Sequence, residues 1–104
     1  MAEVEINSGV CGFTTKVRAN KINRRQVEVE ITTECPNIGK MSPNIITVEP
    51  YKELFGKLHE TETYKIMCEV VSHPTCLVPA GVLKCVEVAS ELALPKDCHL
   101  TIKK

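Results

Sequence analysis

Four side chains of the types that bind soft metal ions lie where the sequence predicts the ends of helices and strands. Cys11 lies at the start of a predicted strand, and Cys35 lies at the start of a predicted short helix. His73 and Cys76 lie close together before the longest helical pattern. Three thiolates and one imidazole suit a tetrahedral zinc site or an iron–sulfur cluster with mixed ligands. The sequence therefore predicts a metal site formed by Cys11, Cys35, His73 and Cys76.

Two of these cysteines also suit a different chemistry. The unpaired N–H groups at the start of a helix stabilise a thiolate, so Cys35 or Cys76 would be a nucleophile with His73 as its base. That interpretation makes the protein a thiol enzyme. A third interpretation is a structural or interaction module without metal, whose cysteines only fill its core. The sequence leaves all three open, and whether the protein is an enzyme stays undecided.

The order of these features resembles the iron–sulfur cluster scaffold family of the NifU N-terminal and IscU type. That family has Cys-Gly entering a strand, a second Cys opening a helix after a hairpin, and His-Cys opening a later long helix. Cys11, Cys35, His73 and Cys76 would be the counterparts. The resemblance implies an IscU-like fold that holds a cluster or zinc. Phe13 stands where scaffolds have an Asp linked to cluster release, which implies a protein that keeps its metal. As a whole, the chain resembles a small uncharacterised prokaryotic family.

Length, charge and cysteine content limit the classes of function. A chain of 104 residues forms one domain, residues 1–104. Its 13 basic and 13 acidic residues balance, which argues against a nucleic-acid partner. The chain lacks a signal-peptide pattern and any run of about 20 apolar residues, which argues against a membrane partner. We expect a cytoplasmic protein whose six cysteines stay reduced. A helical surface with Val70, Val71 and Leu77 could contact a protein partner or a second copy.

Hydrophobic periodicity predicts an α+β fold. Alternating apolar residues predict three strands, around Val4–Ile6, Phe13–Ala19 and Val27–Thr32, of which the last two form a hairpin. Helices are predicted over about 36–41 and about 50–58, the first of them stopped by Ser42-Pro43-Asn44. A third helix that contains Tyr64 and Val71 is predicted after a cap at Thr61 or Thr63, and the longest helix begins at about Leu77 or Val78 and ends at Leu94. Cys98, Leu100 and Ile102 alternate as a closing strand. The expected architecture is a three-stranded antiparallel sheet, plus this C-terminal strand, packed against a layer of helices.

The remaining chemistry-bearing residues are expected to be structural or solvated. Cys68, Cys85 and Cys98 fall on apolar stripes and are predicted to lie in the core, where free cysteine is common. His59 lies near a predicted loop and is expected to be solvated. The sequence therefore predicts four candidate metal ligands and three further cysteines that lie in the hydrophobic core.

Overall fold

The computed structural model describes residues 1–41 and 44–104 and has an α+β architecture. A four-stranded antiparallel sheet with strand order β1-β2-β3-β4 is covered by helices on one face. The strands are β1 (Ala2–Asn7), β2 (Thr14–Asn23), β3 (Gln26–Thr33) and β4 (Ile45–Val48). The helices are α1 (Pro50–Phe55), α2 (Glu62–Val70) and α3 (Val78–Ala89), and 3₁₀ turns cover Gly9–Cys11, Ile38–Lys40 and Leu58–Glu60.

Alternation along the strands separates a buried face from a charged face. Val17 of β2 lies opposite Ile31 of β3, and both are buried under the helices. On the other face, Arg18 of β2 lies opposite Glu3 of β1 and Glu30 of β3. A row of opposite charges across neighbouring strands stabilises the pairing and keeps this face in water. The three predicted strands and their hairpin are confirmed.

The fourth strand is not the predicted C-terminal one. Residues 95–104 form no strand and are exposed, although Cys98, Leu100 and Ile102 alternate as predicted. β4 pairs with β3 instead, with Val48 opposite Val27 on the buried face. Alternation describes only the two faces of a segment, whereas a strand also needs a partner for its N–H and C=O groups. The prediction of a closing strand is therefore wrong.

Three predicted helices are shorter than expected. The helix predicted over 50–58 ends at Phe55, directly before Gly56. Within the predicted helix 36–41, only the 3₁₀ turn Ile38–Lys40 forms, and Ser42 and Pro43 of its predicted stop lie outside the described residues. α3 ends at Ala89 and not at Leu94. Glu91 takes a left-handed φ of 63°, and the Leu92 N–H donates to the Glu87 carbonyl. This closing motif satisfies carbonyl groups at the end of the helix and terminates it.

The core lies between α3 and the first strands. The inner face of α3 is apolar and buried, whereas Leu92 is exposed. The buried residues of this face are Val82, Cys85, Val86 and Ala89. α3 approaches β1 closely at Gly81, where an added Cβ would overlap the Ile6 side chain. A larger residue at this helix–strand contact would therefore require Ile6 to shift.

A buried carboxylate holds the start of α2. Glu53 of α1 is only 5% exposed. Its Oε1 accepts from the Glu62 N–H at 2.7 Å, and its Oε2 accepts from the Thr63 N–H at 3.0 Å and the Thr63 hydroxyl at 2.7 Å. The Thr61 hydroxyl accepts from the Tyr64 N–H at 3.1 Å, which confirms the predicted cap. Together these groups satisfy the first N–H groups of the helix.

Among the described residues, no helix is both long enough and apolar enough to span a membrane.

Candidate metal site

Three loops that hold the predicted metal ligands lie at one end of the sheet. The last residue of β1 pairs with the first residue of β2, and the end of β3 lies beside them. α3 begins near this end, because its Gly81 meets Ile6 close to the end of β1. We call loops 8–13, 34–41 and 71–77 together the cysteine end of the domain. They hold Cys11, Cys35, His73 and Cys76.

The first loop presents Cys11 to solvent. Gly9 and Gly12 take left-handed φ values of 80° and 72°, and the Gly12 N–H donates to the Gly9 carbonyl at 2.9 Å. Residues with a Cβ rarely adopt this conformation, so the two glycines set the tight turn. Cys11 lies between them and is exposed. Its thiol is therefore accessible to a ligand or an oxidant.

The second loop holds Cys35 against the core. Cys35 is half-buried, its N–H donates to the Thr33 hydroxyl at 3.0 Å, and its carbonyl accepts from the Gly39 N–H at 2.9 Å. The preceding Glu34 joins this loop to the base of the first one. Its N–H donates to the Thr14 carbonyl at 3.1 Å, and its Oε1 accepts from the Thr14 N–H at 2.8 Å. The Cys35 backbone is thus fixed relative to β2.

The third loop holds His73 and Cys76 before α3. The Cys76 N–H donates to the His73 carbonyl at 3.4 Å, so the chain turns between them. Cys76 is half-buried against the core, while His73 is exposed. The Asn37 side-chain amide donates to the Ser72 hydroxyl at 3.1 Å and joins this loop to the second. The three loops are therefore connected in series by the Glu34–Thr14 and Asn37–Ser72 hydrogen bonds.

The donor types fit a soft metal, but the arrangement is not a preformed metal site. Among residues 1–41 and 44–104, no group of three or more His, Cys, Asp or Glu side chains is placed to hold a metal ion. A tetrahedral zinc site needs four donors at about 2.0–2.3 Å from the ion. The fold brings the four predicted ligands to one end of the domain, and coordination by all of them would require further movement.

The other three cysteines do not behave alike. Cys85 is fully buried, as predicted, and its Sγ lies 3.5 Å from the carbonyl oxygens of Ala2 and Val17. Burial raises the pKa of the Cys85 thiol from 9.0 to about 11, so this group stays protonated near neutral pH. Cys68 and Cys98 are exposed, so their predicted core positions are wrong. His59 is exposed, as predicted.

Comparison with known proteins gives a family but no activity. The model of a family of unknown function, DUF6951, matches residues 2–102. The chain belongs to this family. No curated protein and no solved structure matches it. Membership of DUF6951 agrees with the predicted uncharacterised family, while the comparisons give no support for a relationship to the IscU and NifU scaffolds.

Sequence reasoning missed the residues that connect the loops in this DUF6951 protein. Asn37 and Ser72 are 35 positions apart, and no local pattern indicates that they meet. Glu34 directly precedes the candidate ligand Cys35, and its Oε1 accepts a hydrogen bond from the Thr14 N–H. A carboxylate directly before a candidate ligand was the available signal, but its partner depends on the pairing of β2 with β3.

Proposed function

We propose that the cysteine end binds zinc or an iron–sulfur cluster through Cys11, Cys35, His73 and Cys76. The observation that supports this proposal is the gathering of the three loops at one end of the sheet, joined by two hydrogen-bonded links. These links join the loop of Cys35 to the start of β2 and to the loop of His73 and Cys76, and each of the three loops brings at least one soft donor. Thiolates and imidazole select zinc, iron and copper over harder ions.

Binding would reorganise the cysteine end. The exposed loop 8–13 has few anchors beyond its two glycines, whereas Cys35 and Cys76 pack against the core. We therefore expect Cys11 to move most when metal binds. We also propose a cytoplasmic location, where reducing conditions keep the six cysteines from forming disulfides. The resemblance to cluster scaffolds is retained only as a reason to test iron beside zinc.

The deciding experiment is metal analysis of the protein purified without oxygen. We expect about one zinc per chain, or iron with matching acid-labile sulfide and visible absorption. A combined zinc and iron content below about a tenth of an equivalent would reject the proposal, since a structural site of this kind binds tightly.

Matched variants assign the ligands. Replacement of Cys11, Cys35 and Cys76 by alanine should abolish metal binding. Replacement of the exposed Cys68 and Cys98 should leave it unchanged, because both lie outside the cysteine end. Equal metal loss in both variants would mean that the ion is bound by surface thiols in general.

A thiol catalyst is the second candidate function. The turn that joins the Cys76 N–H to the His73 carbonyl favours it, because it keeps this cysteine and histidine close. Alkylation of the metal-free protein at increasing pH tests it, with Cys68 as the reference thiol. Reaction of Cys76 at a pH where Cys68 stays inert, abolished by His73→Ala, would support catalysis. If neither metal nor such reactivity is found, a structural or interaction module becomes the best account.

A further inference from the structure

A pocket at the opposite end of the sheet combines two cationic side chains with an unpartnered buried hydroxyl. It has a volume of about 190 Å³ and lies where β2 and α3 end and α1 begins. None of the residues that line the pocket belongs to the cysteine end. Its lining residues are Lys21, Arg24, Pro50, Tyr51, Ser90 and Leu92.

The Ser90 hydroxyl is the least explained polar group of the described residues. Ser90 is 8% exposed, and its Oγ has no hydrogen-bond partner among residues 1–41 and 44–104. A buried hydroxyl without a partner is unfavourable by about 1–3 kcal/mol. Ser90 is one of the residues that line the pocket, so a rotation of its side chain would let the hydroxyl donate a hydrogen bond to a group bound there.

The fold places two positive charges on the same pocket. Lys21 continues the face of β2 that holds Val17 and Ala19, and the register then shifts between Lys21 and Asn23. The Asn23 side chain accepts from the Arg25 N–H at 2.8 Å and holds the hairpin turn next to Arg24. In the described part of the chain, neither Lys21 nor Arg24 forms an ion pair.

Negative charge nearby only partly offsets these two cations. The end of α3 contributes about half of one negative charge from its carbonyl groups. Glu91 lies between the lining residues Ser90 and Leu92 and adds one more negative charge. Glu49, directly before Pro50, is paired with Lys52 at 3.5 Å. The positive charge of Lys21 and Arg24 therefore exceeds the nearby negative charge by a small margin, which favours an anion.

We propose that this pocket binds a small oxyanion, either a phosphate group or a carboxylate. Lys21 and Arg24 supply charge-assisted hydrogen bonds, and the Ser90 and Tyr51 hydroxyls supply neutral ones. The volume is below the range of about 300–1,000 Å³ typical of drug-sized ligands. The ligand is thus a small molecule or the charged end of a larger one.

Titration of the full-length protein with inorganic phosphate tests the proposal, followed by backbone amide chemical shifts at constant ionic strength. Saturable shifts should concentrate in residues 21–24, 50–52 and 90–92. Parallel titrations with acetate and chloride identify the chemistry. Saturation by phosphate alone indicates a phosphate site, and saturation by acetate as well indicates a general oxyanion site. Equal, unsaturated shifts with all three salts would overturn the proposal.

Arg24 and Arg25 form a matched pair of variants, since they are neighbours of equal charge and only Arg24 lines the pocket. Arg24→Ala should weaken phosphate binding about tenfold, which corresponds to about 1.4 kcal/mol. Arg25→Ala should change it less than twofold. Ser90→Ala should weaken it about threefold to fivefold while the protein stays folded, as expected for one neutral hydrogen bond of about 1 kcal/mol. Equal effects of Arg24→Ala and Arg25→Ala, or unchanged binding in Ser90→Ala, would refute the assignment.

Discussion

Glu53 offers the most exact test of how this fold is held together. Its carboxylate accepts three hydrogen bonds from the start of α2, and it is almost fully buried. Glu53→Gln keeps the size of the side chain but turns one acceptor oxygen into an N–H₂ group. The new N–H₂ group would face the Glu62 N–H, or the N–H and O–H of Thr63, all of which are hydrogen-bond donors. At least one of these donors would therefore lose its acceptor.

The expected loss of stability follows from those contacts. A hydrogen bond to a charged group contributes about 1.5–3 kcal/mol, and an orphaned buried donor is unfavourable by a further 1–3 kcal/mol. Since the amide still accepts one hydrogen bond, we expect Glu53→Gln to lower the free energy of unfolding by about 2–4 kcal/mol. The thermal midpoint would fall by roughly 10–25 °C for a domain of this size.

Urea unfolding followed by circular dichroism measures the effect. Glu60→Gln is the matched control, because the Glu60 side chain is exposed and its Oε1 lies 3.7 Å from the exposed His59 Nε2. It should change stability by less than about 0.5 kcal/mol. A double-mutant cycle with Thr63→Val should give a coupling energy of at least about 0.5 kcal/mol. If Glu53→Gln were as mild as Glu60→Gln, the carboxylate would not hold α2 as described.

Three further predictions concern the core and the C-terminal segment. Gly81→Ala should lower the free energy of unfolding by about 1–2 kcal/mol, because overpacking against Ile6 outweighs the gain in helix propensity. An unchanged or higher urea midpoint of unfolding would contradict the close contact between Gly81 and Ile6. The pKa of Cys85 is raised to about 11, so the folded state keeps its proton while the unfolded chain loses it above 9.0. This thiol should therefore leave the free energy of unfolding unaffected below pH 9 and lower it by up to about 1.4 kcal/mol per pH unit between pH 9 and 11. An equally steep decrease in the Cys85→Ala variant would show that other groups cause it. Deletion of residues 95–104, which are exposed, should change the free energy of unfolding by less than about 0.5 kcal/mol; a larger loss would show that this segment packs on the domain.

The strands were predictable where local alternation coincides with burial. Val27, Val29 and Ile31 alternate with polar residues, and all three are buried on one face. Ile45–Val48 also has apolar residues but only four positions, and it becomes a strand because β3 has an open edge. The tail around Leu100 has the better alternation but no partner. Pairing partners are a property of the whole fold, so local pattern could not choose between the two segments.

The helix boundaries depend on capping groups, and only some of these groups are close in sequence to the helix end that they cap. Thr61 was a recognisable cap before α2, whereas its second support, Glu53, comes from another helix. The end of α3 is set by the left-handed Glu91, a residue that rarely takes this conformation. The apolar residues Leu92 and Ala93 continue the stripe of α3 and therefore predicted a longer helix than the chain forms.

The candidate site was predictable in its residue types but not in its geometry. The four ligands were chosen because they lie at predicted element ends, and the loops that hold them do gather at one end of the sheet. The sequence could not indicate that Cys11 is exposed in a turn formed by two glycines, whereas Cys35 and Cys76 pack against the core. Coordination by these residues therefore stays a prediction.

The most direct test is X-ray absorption at the metal edge of the anaerobically purified protein. Zinc bound as proposed should have three sulfur neighbours at about 2.3 Å and one nitrogen at about 2.0–2.1 Å. An iron–sulfur cluster should instead show iron with sulfide and thiolate sulfur. A metal surrounded mainly by oxygen, or sulfur neighbours that persist when Cys11, Cys35 and Cys76 are all replaced by alanine, would contradict the proposal.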